Sequence, residues 1–156
     1  MTDKPGAAQA QAQALAVAML MLRAAAQVVD GIQQGLADRG FPGRRPAHGF
    51  AFVRISAGDA TVTDVAAHLG ITKQAASQLV GQLADAGYVS RQADPRDGRS
   101  SLLVLTDQGR ACTRAAEEAA AGTVALWREQ AGPAAMTALQ DALRAVVRPG
   151  PLRPAW

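Results

Sequence analysis

Cysteine is almost missing: Cys112 stands alone among 156 residues. A single thiol cannot close an intramolecular disulfide, which excludes a disulfide-framed domain and suits a reducing compartment. Aromatic residues are scarce at 4%, and lysine is present only as Lys4 and Lys73. Chemistry-bearing patterns are missing too. There is no Gly-rich phosphate loop, no G-x-S-x-G, and no serine or cysteine with a histidine placed to activate it, so no enzyme is expected. Asp64 and His68 are spaced i, i+4, but two ligands on an exposed helix do not make a metal site; neither metal nor cofactor is expected. No basic segment followed by an apolar core opens the chain, so no signal peptide is expected. No run reaches the ~18 apolar residues of a membrane span. The expected location is cytoplasmic, with no membrane partner.

What remains is a globular composition, 49% hydrophobic and 19% charged, in a chain of a length that suits one domain. The net charge of +3 and a pI near 9.7 are compatible with nucleic acid without demanding it. Between residues 61 and 110 five cations (Lys73, Arg91, Arg96, Arg99, Arg110) face five aspartates. Any argument for nucleic acid therefore rests on where the cations sit.

Residues 63–109 organise the rest. Val65, Ala66 and Leu69 have helical spacing, and Gly70 follows where a helix needs a residue free to take positive φ. Thr72 can cap a second helix, which places Ala76, Leu79, Val80 and Leu83 on one buried stripe. Its other face carries Lys73, Gln74, Ser77 and Gln78, a cation, two amides and a hydroxyl. These are groups that reach phosphates and base edges in a major groove; the plain alternative is a solvated helix face. Gly87 ends that helix, residues 88–92 suit a short strand, and 102–105 suit a return strand. Asp94-Pro95 and Asp97-Gly98 are turn dipeptides, so 93–100 is predicted as the hairpin tip. Residues 60–62 can add a minor third strand. The element order is that of a winged helix-turn-helix.

Four motifs in this stretch are specific in combination: Leu-Gly-Ile-Thr at 69–72, Leu-x-x-x-Gly-Tyr-Val-x-Arg at 83–91, Asp-x-Arg at 97–99, and Leu-Thr-x-x-Gly-Arg at 105–110. In this order and spacing the chain resembles the MarR family of transcription regulators, residue by residue over about a third of its length and architecturally elsewhere. The resemblance implies that Arg99 of the wing enters a minor groove and that Asp97 braces it. The family often has a second arginine between these two; here Gly98 stands there, and Arg96 is the candidate substitute. Some family members sense peroxides through a cysteine near the first helix. Cys112 lies elsewhere, on an alanine-lined face, and reads as a buried, inert thiol.

The flanks are helical. Residues 1–6 are expected to be disordered. Residues 7–39 carry Leu15, Met19, Leu22, Ala26, Val29, Ile32 and Leu36 at steps of three and four, with Val17, Leu20, Met21 and Val28 on a second apolar face. Gly31 and Gly35 cost such a helix roughly 1 kcal/mol each relative to alanine, so packing must hold its last turns. A short helix at 47–55 follows. Residues 107–130 form a long helix with Ala111, Cys112, Ala115, Ala119, Leu126 and Trp127 inward. Gly132-Pro133 breaks it before a last helix at 133–147 and a proline-rich tail.

The expectation is thus a single, mainly α domain with a small β-wing, a winged helix-turn-helix at 60–106 flanked by dimerisation helices at 7–58 and 107–147, with a tail at 148–156. The resemblance implies a homodimer joined through its terminal helices, the alternative being helices that close a monomeric core. Two-fold symmetry sets recognition helices ~34 Å apart on a pseudo-palindromic operator in double-stranded DNA. The expected DNA contacts are Thr72, Lys73, Gln74, Ser77, Gln78, Arg96, Asp97 and Arg99. The expected function is a sequence-specific repressor released by a small-molecule effector, bound as the resemblance implies between dimer helices and reader. His48 and Phe52 are the candidate lining pair, against core packing of Phe52 and solvent exposure of His48. The alternatives are a winged-helix protein–protein module and an architectural DNA binder that ignores ligands.

Overall fold

The computed structural model describes residues 4–95, 97–148 and 150, with the backbone alone described at 4, 5 and 97–100. The elements run α1 (Lys4–Asp38), α2 (Pro46–Ser56), α3 (Val62–Leu69), α4 (Lys73–Asp85), β1 (Val89–Asp94), β2 (Asp97–Leu105), α5 (Asp107–Ala131) and α6 (Pro133–Val146). The fold is mainly helical with a two-stranded antiparallel wing.

Three threonines set the helix starts. The Thr61 hydroxyl accepts from the Asp64 N–H at 3.3 Å while the Asp64 carboxylate accepts from the Thr61 N–H at 2.8 Å, a reciprocal cap for α3. Thr72 accepts from the Ala75 N–H at 3.2 Å to cap α4, and Thr106 accepts from the Gly109 N–H at 3.1 Å to cap α5. Gly70 takes the left-handed conformation (φ 63°, ψ 36°) that turns α3 into α4.

Amphipathic faces then close on one core. Phe52 and Ile55 from α2, Val65 and Leu69 from α3, Val80 and Leu83 from α4, and Leu103 and Leu105 from β2 are buried together. Leu36 of α1 and Cys112 and Ala115 of α5 close its other side. The wing pairs from Val89↔Leu105 to Ala93↔Ser101; the third strand expected at 60–62 is reduced to one bridge from Ala60 to Leu103, because α3 already starts at Val62.

The glycines of α1 have a structural reason. A Cβ at Gly35 would lie 2.4 Å from the Ala119 Cβ, and one at Gly31 2.2 Å from the Thr123 hydroxyl. The helices approach so closely at this crossing that a side chain at Gly35 meets the fixed Ala119 Cβ, and one at Gly31 fits only if the Thr123 hydroxyl turns away.

Several expectations are corrected. Of residues 1–6, expected to be disordered, 4–6 are helical and 1–3 lie outside the described residues. The hairpin tip is short, because pairing continues to Asp94↔Asp97 across an irregularity at Ala93/Asp94. Asp97-Gly98 therefore lies inside β2, its turn propensity overridden by cross-strand pairing. Leu126 points outward, 57% exposed, because α5 has run past the core by that turn. Over residues 6–38, α1 is long and apolar enough by length and composition to cross a membrane, with a mean hydropathy of 1.6 in its most apolar 18 residues. Alanine raises that average without making a continuous run of large apolar side chains.

Candidate nucleic-acid interface and the cavity behind it

Helix α4 presents two unlike faces. Ala76, Val80 and Leu83 are buried, and Leu79 packs partly against the same core. Thr72, Lys73, Gln74, Ser77 and Gln78 are all exposed. The buried stripe fixes the helix's rotation about its axis, so the polar groups project together from the opposite side. The α4 N-terminus adds exposed N–H groups and the positive end of the helix dipole, a local preference for phosphate. The Thr72 hydroxyl oxygen accepts the cap hydrogen bond, which leaves its O–H free to donate outward. Among the DNA contacts expected from the sequence, Arg96 and the side chains of Asp97 and Arg99 lie outside the described residues. Arg91 of β1 is exposed on the wing itself.

The junction of reader helix and wing is tied by four hydrogen bonds. The Tyr88 N–H donates to the Leu83 carbonyl at 2.9 Å, and the Tyr88 carbonyl accepts from the Thr106 N–H at 3.0 Å. The Thr106 hydroxyl donates to the Gly87 carbonyl at 2.6 Å while accepting from Gly109. Gly109 is required there, since a Cβ would stand 2.2 Å from the Tyr88 carbonyl oxygen. The Leu-Thr-x-x-Gly motif is thus the clasp between α4, the wing and α5.

Behind the reader, α1, α2 and α5 enclose a cavity of about 240 Å³. Its walls are apolar, with Ile32 and Leu36 from α1, Phe52 and Val53 from α2, and Ala116 from α5. His48 and Phe52 both border this cavity; His48 is 8% exposed rather than facing solvent, whereas Phe52, 2% exposed, packs into the core as its alternative had it. The His48 Nδ1 accepts from the Arg45 N–H at 3.1 Å, so the neutral ring carries its proton on Nε2. Burial, then the neighbouring charges of Arg44 and Arg45, pull the His48 pKa down to about 4. Cys112 lines the same cavity, and burial raises its thiol pKa, partly offset by Arg44. Asp64 serves the α3 cap: hydrogen bonds from the Thr61 hydroxyl and N–H hold its carboxyl below the usual range, and Arg54 approaches it at 3.7 Å.

Tyr88 belongs to the Gly-Tyr-Val motif, but nothing in the sequence marks Arg44 as its partner. The Arg44 guanidinium lies over the Tyr88 ring, 4.7 Å from its centroid, and the same side chain lines the cavity. Nothing in the sequence links these distant positions; only the fold joins them.

Comparison with known proteins agrees with this geometry. The sequence model of the MarR family matches residues 40–100, from the loop before α2 into the wing. The HTH-type transcriptional regulator PetP of Rhodobacter capsulatus is 33% identical over 89 residues, covering 57% of this chain and 54% of that protein. The chain spans roughly half to three-fifths of the length of the curated relatives it matches, 54% to 61%. Among solved structures, apo MarR of E. coli superposes with a TM-score of 0.68 at 16% identity, over 84% of this chain and 96% of that one. CouR of Rhodococcus jostii RHA1, bound to p-coumaroyl-CoA, superposes with a TM-score of 0.64 at 22% identity, over 88% and 95%.

Proposed function

From a chain with the MarR-family fold and a MarR-like reader sequence, we propose a cytoplasmic, homodimeric regulator that binds a pseudo-palindromic DNA operator and releases it on binding a small molecule. The observation that carries the DNA reading is the pair of unlike faces on α4. One is locked into the core, and the other projects Lys73, Gln74, Ser77 and Gln78 together beside the wing. Gln74 and Gln78 can pair bidentately with adenine edges, Lys73 supplies a phosphate or guanine contact, and Arg99 and Asp97 are proposed as the minor-groove arginine and its brace.

Surface area supports the dimer. One chain exposes 10589 Å² for 16.1 kDa, against roughly 7,400 Å² for a compact monomer of that mass. The excess, roughly 3,000 Å², is more than a standard interface takes from each partner. Apolar side chains of the terminal helices contribute to it: Leu15, Leu20, Leu22, Leu139, Leu143 and Val146 are all more than a third exposed. A second copy covers such a surface better than lipid does. Arg23, near the middle of α1, would cost about 2.5–3.5 kcal/mol at a bilayer centre.

The cavity is the proposed effector site. Its apolar walls, the His48 Nε2–H donor and the flanking Arg44 and Arg45 suit an apolar body bearing one acidic or acceptor group. At about 240 Å³ it lies below the ~300–1,000 Å³ typical of drug-sized ligands, so it fits an aryl or acyl group and leaves any larger handle outside.

Selection of bound sequences from a random duplex pool tests the reading. Enriched palindromes with half-sites about one DNA turn apart are expected. Binding without enrichment would point to an architectural protein, and no salt-dependent binding to a protein-interaction module.

A further inference from the structure

Arg44 occupies two places in the architecture at once. Its guanidinium sits 4.7 Å from the centroid of the Tyr88 ring, and its side chain also lines the cavity beside His48 and Cys112. Tyr88 is 6% exposed and is held from the other sides by aromatic neighbours. Phe52 stacks on it with centroids 5.9 Å apart at 28°, and Phe41 meets it at 6.4 Å and 60°. The Tyr88 backbone belongs to the clasp that ends α4 and starts β1, bonded to Leu83 and Thr106. One cation therefore bridges the cavity wall and the point where recognition helix and wing meet.

We propose that Arg44 is the positioning residue that reports cavity occupancy to the DNA reader, and that an apolar monoanion in the cavity acts by drawing its guanidinium off Tyr88. The proposal rests on reading the cavity as an effector site. Seated on Tyr88, Arg44 fixes residues 40–45 and the start of α2 against the clasp. A carboxylate offers the guanidinium a shorter, charge-assisted and bidentate partner, stronger than a ring face. The ligand thereby has the differential affinity for two arrangements that regulation requires. Arg45 lines the same cavity and adds positive charge, while the exposed Glu117 on its α5 side opposes it. The two arginines against one carboxylate leave the cavity selective for an anion.

Two arms test this. The first uses no ligand: operator affinity is measured for wild type, Arg44→Ala, Tyr88→Leu and the double variant, with thermal unfolding to correct for the folded fraction. Each single change is expected to weaken DNA binding by about two- to fivefold, the strength of one partly buried cation–π contact, and the double variant no further. Tyr88→Phe, which keeps the ring, stays near wild type. Additive losses, or a loss with Arg44→Ala and none with Tyr88→Leu, would mean that Arg44 acts on DNA by itself and would overturn the proposal. A purely structural role would lower the unfolding temperature without changing affinity per folded molecule, which also overturns it.

The second arm titrates 2-naphthoate and its neutral match, 2-naphthamide, by calorimetry with and without operator. The acid is expected to bind wild type and weaken DNA binding, and the amide to leave it unchanged. In Tyr88→Leu the acid binds about two- to fivefold tighter, because the ring no longer competes, and its effect on DNA is lost. Equal effects of acid and amide refute the anion relay. Naphthoate that fails to bind wild type at all sinks the effector reading of the cavity, while the ligand-free cycle still decides the positioning role of Arg44.

Discussion

Gly35→Ala sets two effects of known size against each other. In a helix interior alanine is favoured over glycine by about 1 kcal/mol, and α1 is helical on both sides of the site. Against this, the new Cβ would stand 2.4 Å from the Ala119 Cβ and 3.4 Å from the Ala119 Cα. Arg39 Nη1, at 3.2 Å, can swing away, but the nearest atom belongs to a residue with no rotamer to change, so α1 and α5 must separate by about 1 Å to reach ordinary carbon contact. Overpacking of this kind costs about 1–3 kcal/mol, and the clash outweighs the propensity gain. A net loss of up to about 2 kcal/mol is expected. Gly31→Ala should lose less, since its nearest atom is the Thr123 hydroxyl, which can turn away by giving up its 3.0 Å bond to the Ala119 carbonyl. Gly122→Ala, with nothing within 4 Å of its new Cβ, should gain up to about 1 kcal/mol. Urea unfolding of the three variants at one fixed protein concentration, followed by far-ultraviolet dichroism, measures all of this. The concentration matters because dimerisation adds to apparent stability. Stabilisation by Gly35→Ala would refute the close crossing of α1 and α5, and with it the shape of the cavity between them.

The remaining predictions concern titration and chemistry behind the reader. His48 has a folded pKa of about 4 against an ordinary 6.5, so between those values the unfolded chain binds the extra proton. Stability should therefore fall as pH drops from about 6.5 to about 4, by at most about 3 kcal/mol, and the slope should vanish in His48→Gln. Asp64, with its pKa below 3.8, contributes in the same direction only at lower pH. An equal slope in His48→Gln would show that His48 is not held neutral. Cys112 is 2% exposed with its thiol pKa raised, so Cys112→Ser should leave DNA affinity unchanged and mild peroxide should not release the wild type. Peroxide release that disappears in the variant would contradict a buried, unactivated thiol. Thr106→Ala removes both the α5 cap and the bond to Gly87, and should lower unfolding stability by about 1–3 kcal/mol; an unchanged urea midpoint would mean the clasp is not closed by Thr106.

The reader was legible in the sequence because each of its steps depends on local chemistry. Thr72 caps, Gly70 turns, and the 3.6-residue stripe of Ala76, Val80 and Leu83 fixes which side chains point away. The wing was partly misread for the same reason. Asp97-Gly98 has the composition of a turn, but pairing with β1 is a non-local term that composition does not contain. Leu126 was expected inward from periodicity alone, yet a helix keeps its apolar stripe beyond the point where its own core ends. The glycines of α1 read as a cost; only the position of Ala119 and Thr123 shows the close approach they allow. His48 and Phe52 were found by residue type, while the bridge from Arg44 to Tyr88 has no periodicity or motif and exists only in three dimensions.

The most direct measurement of the central claim is equilibrium binding of wild type, Gln78→Ala and Arg99→Ala to a selected operator and to scrambled duplex across a salt series. Gln78 is exposed on the outward face of α4, so Gln78→Ala should cost about 1–3 kcal/mol on the operator and almost nothing on scrambled DNA. Arg99→Ala should weaken both, and should flatten the salt dependence by about one unit of slope per wing if each arginine neutralises one phosphate charge. If Gln78→Ala weakened both duplexes equally while Arg99→Ala spared scrambled DNA, the face assigned to base reading would be the wrong one.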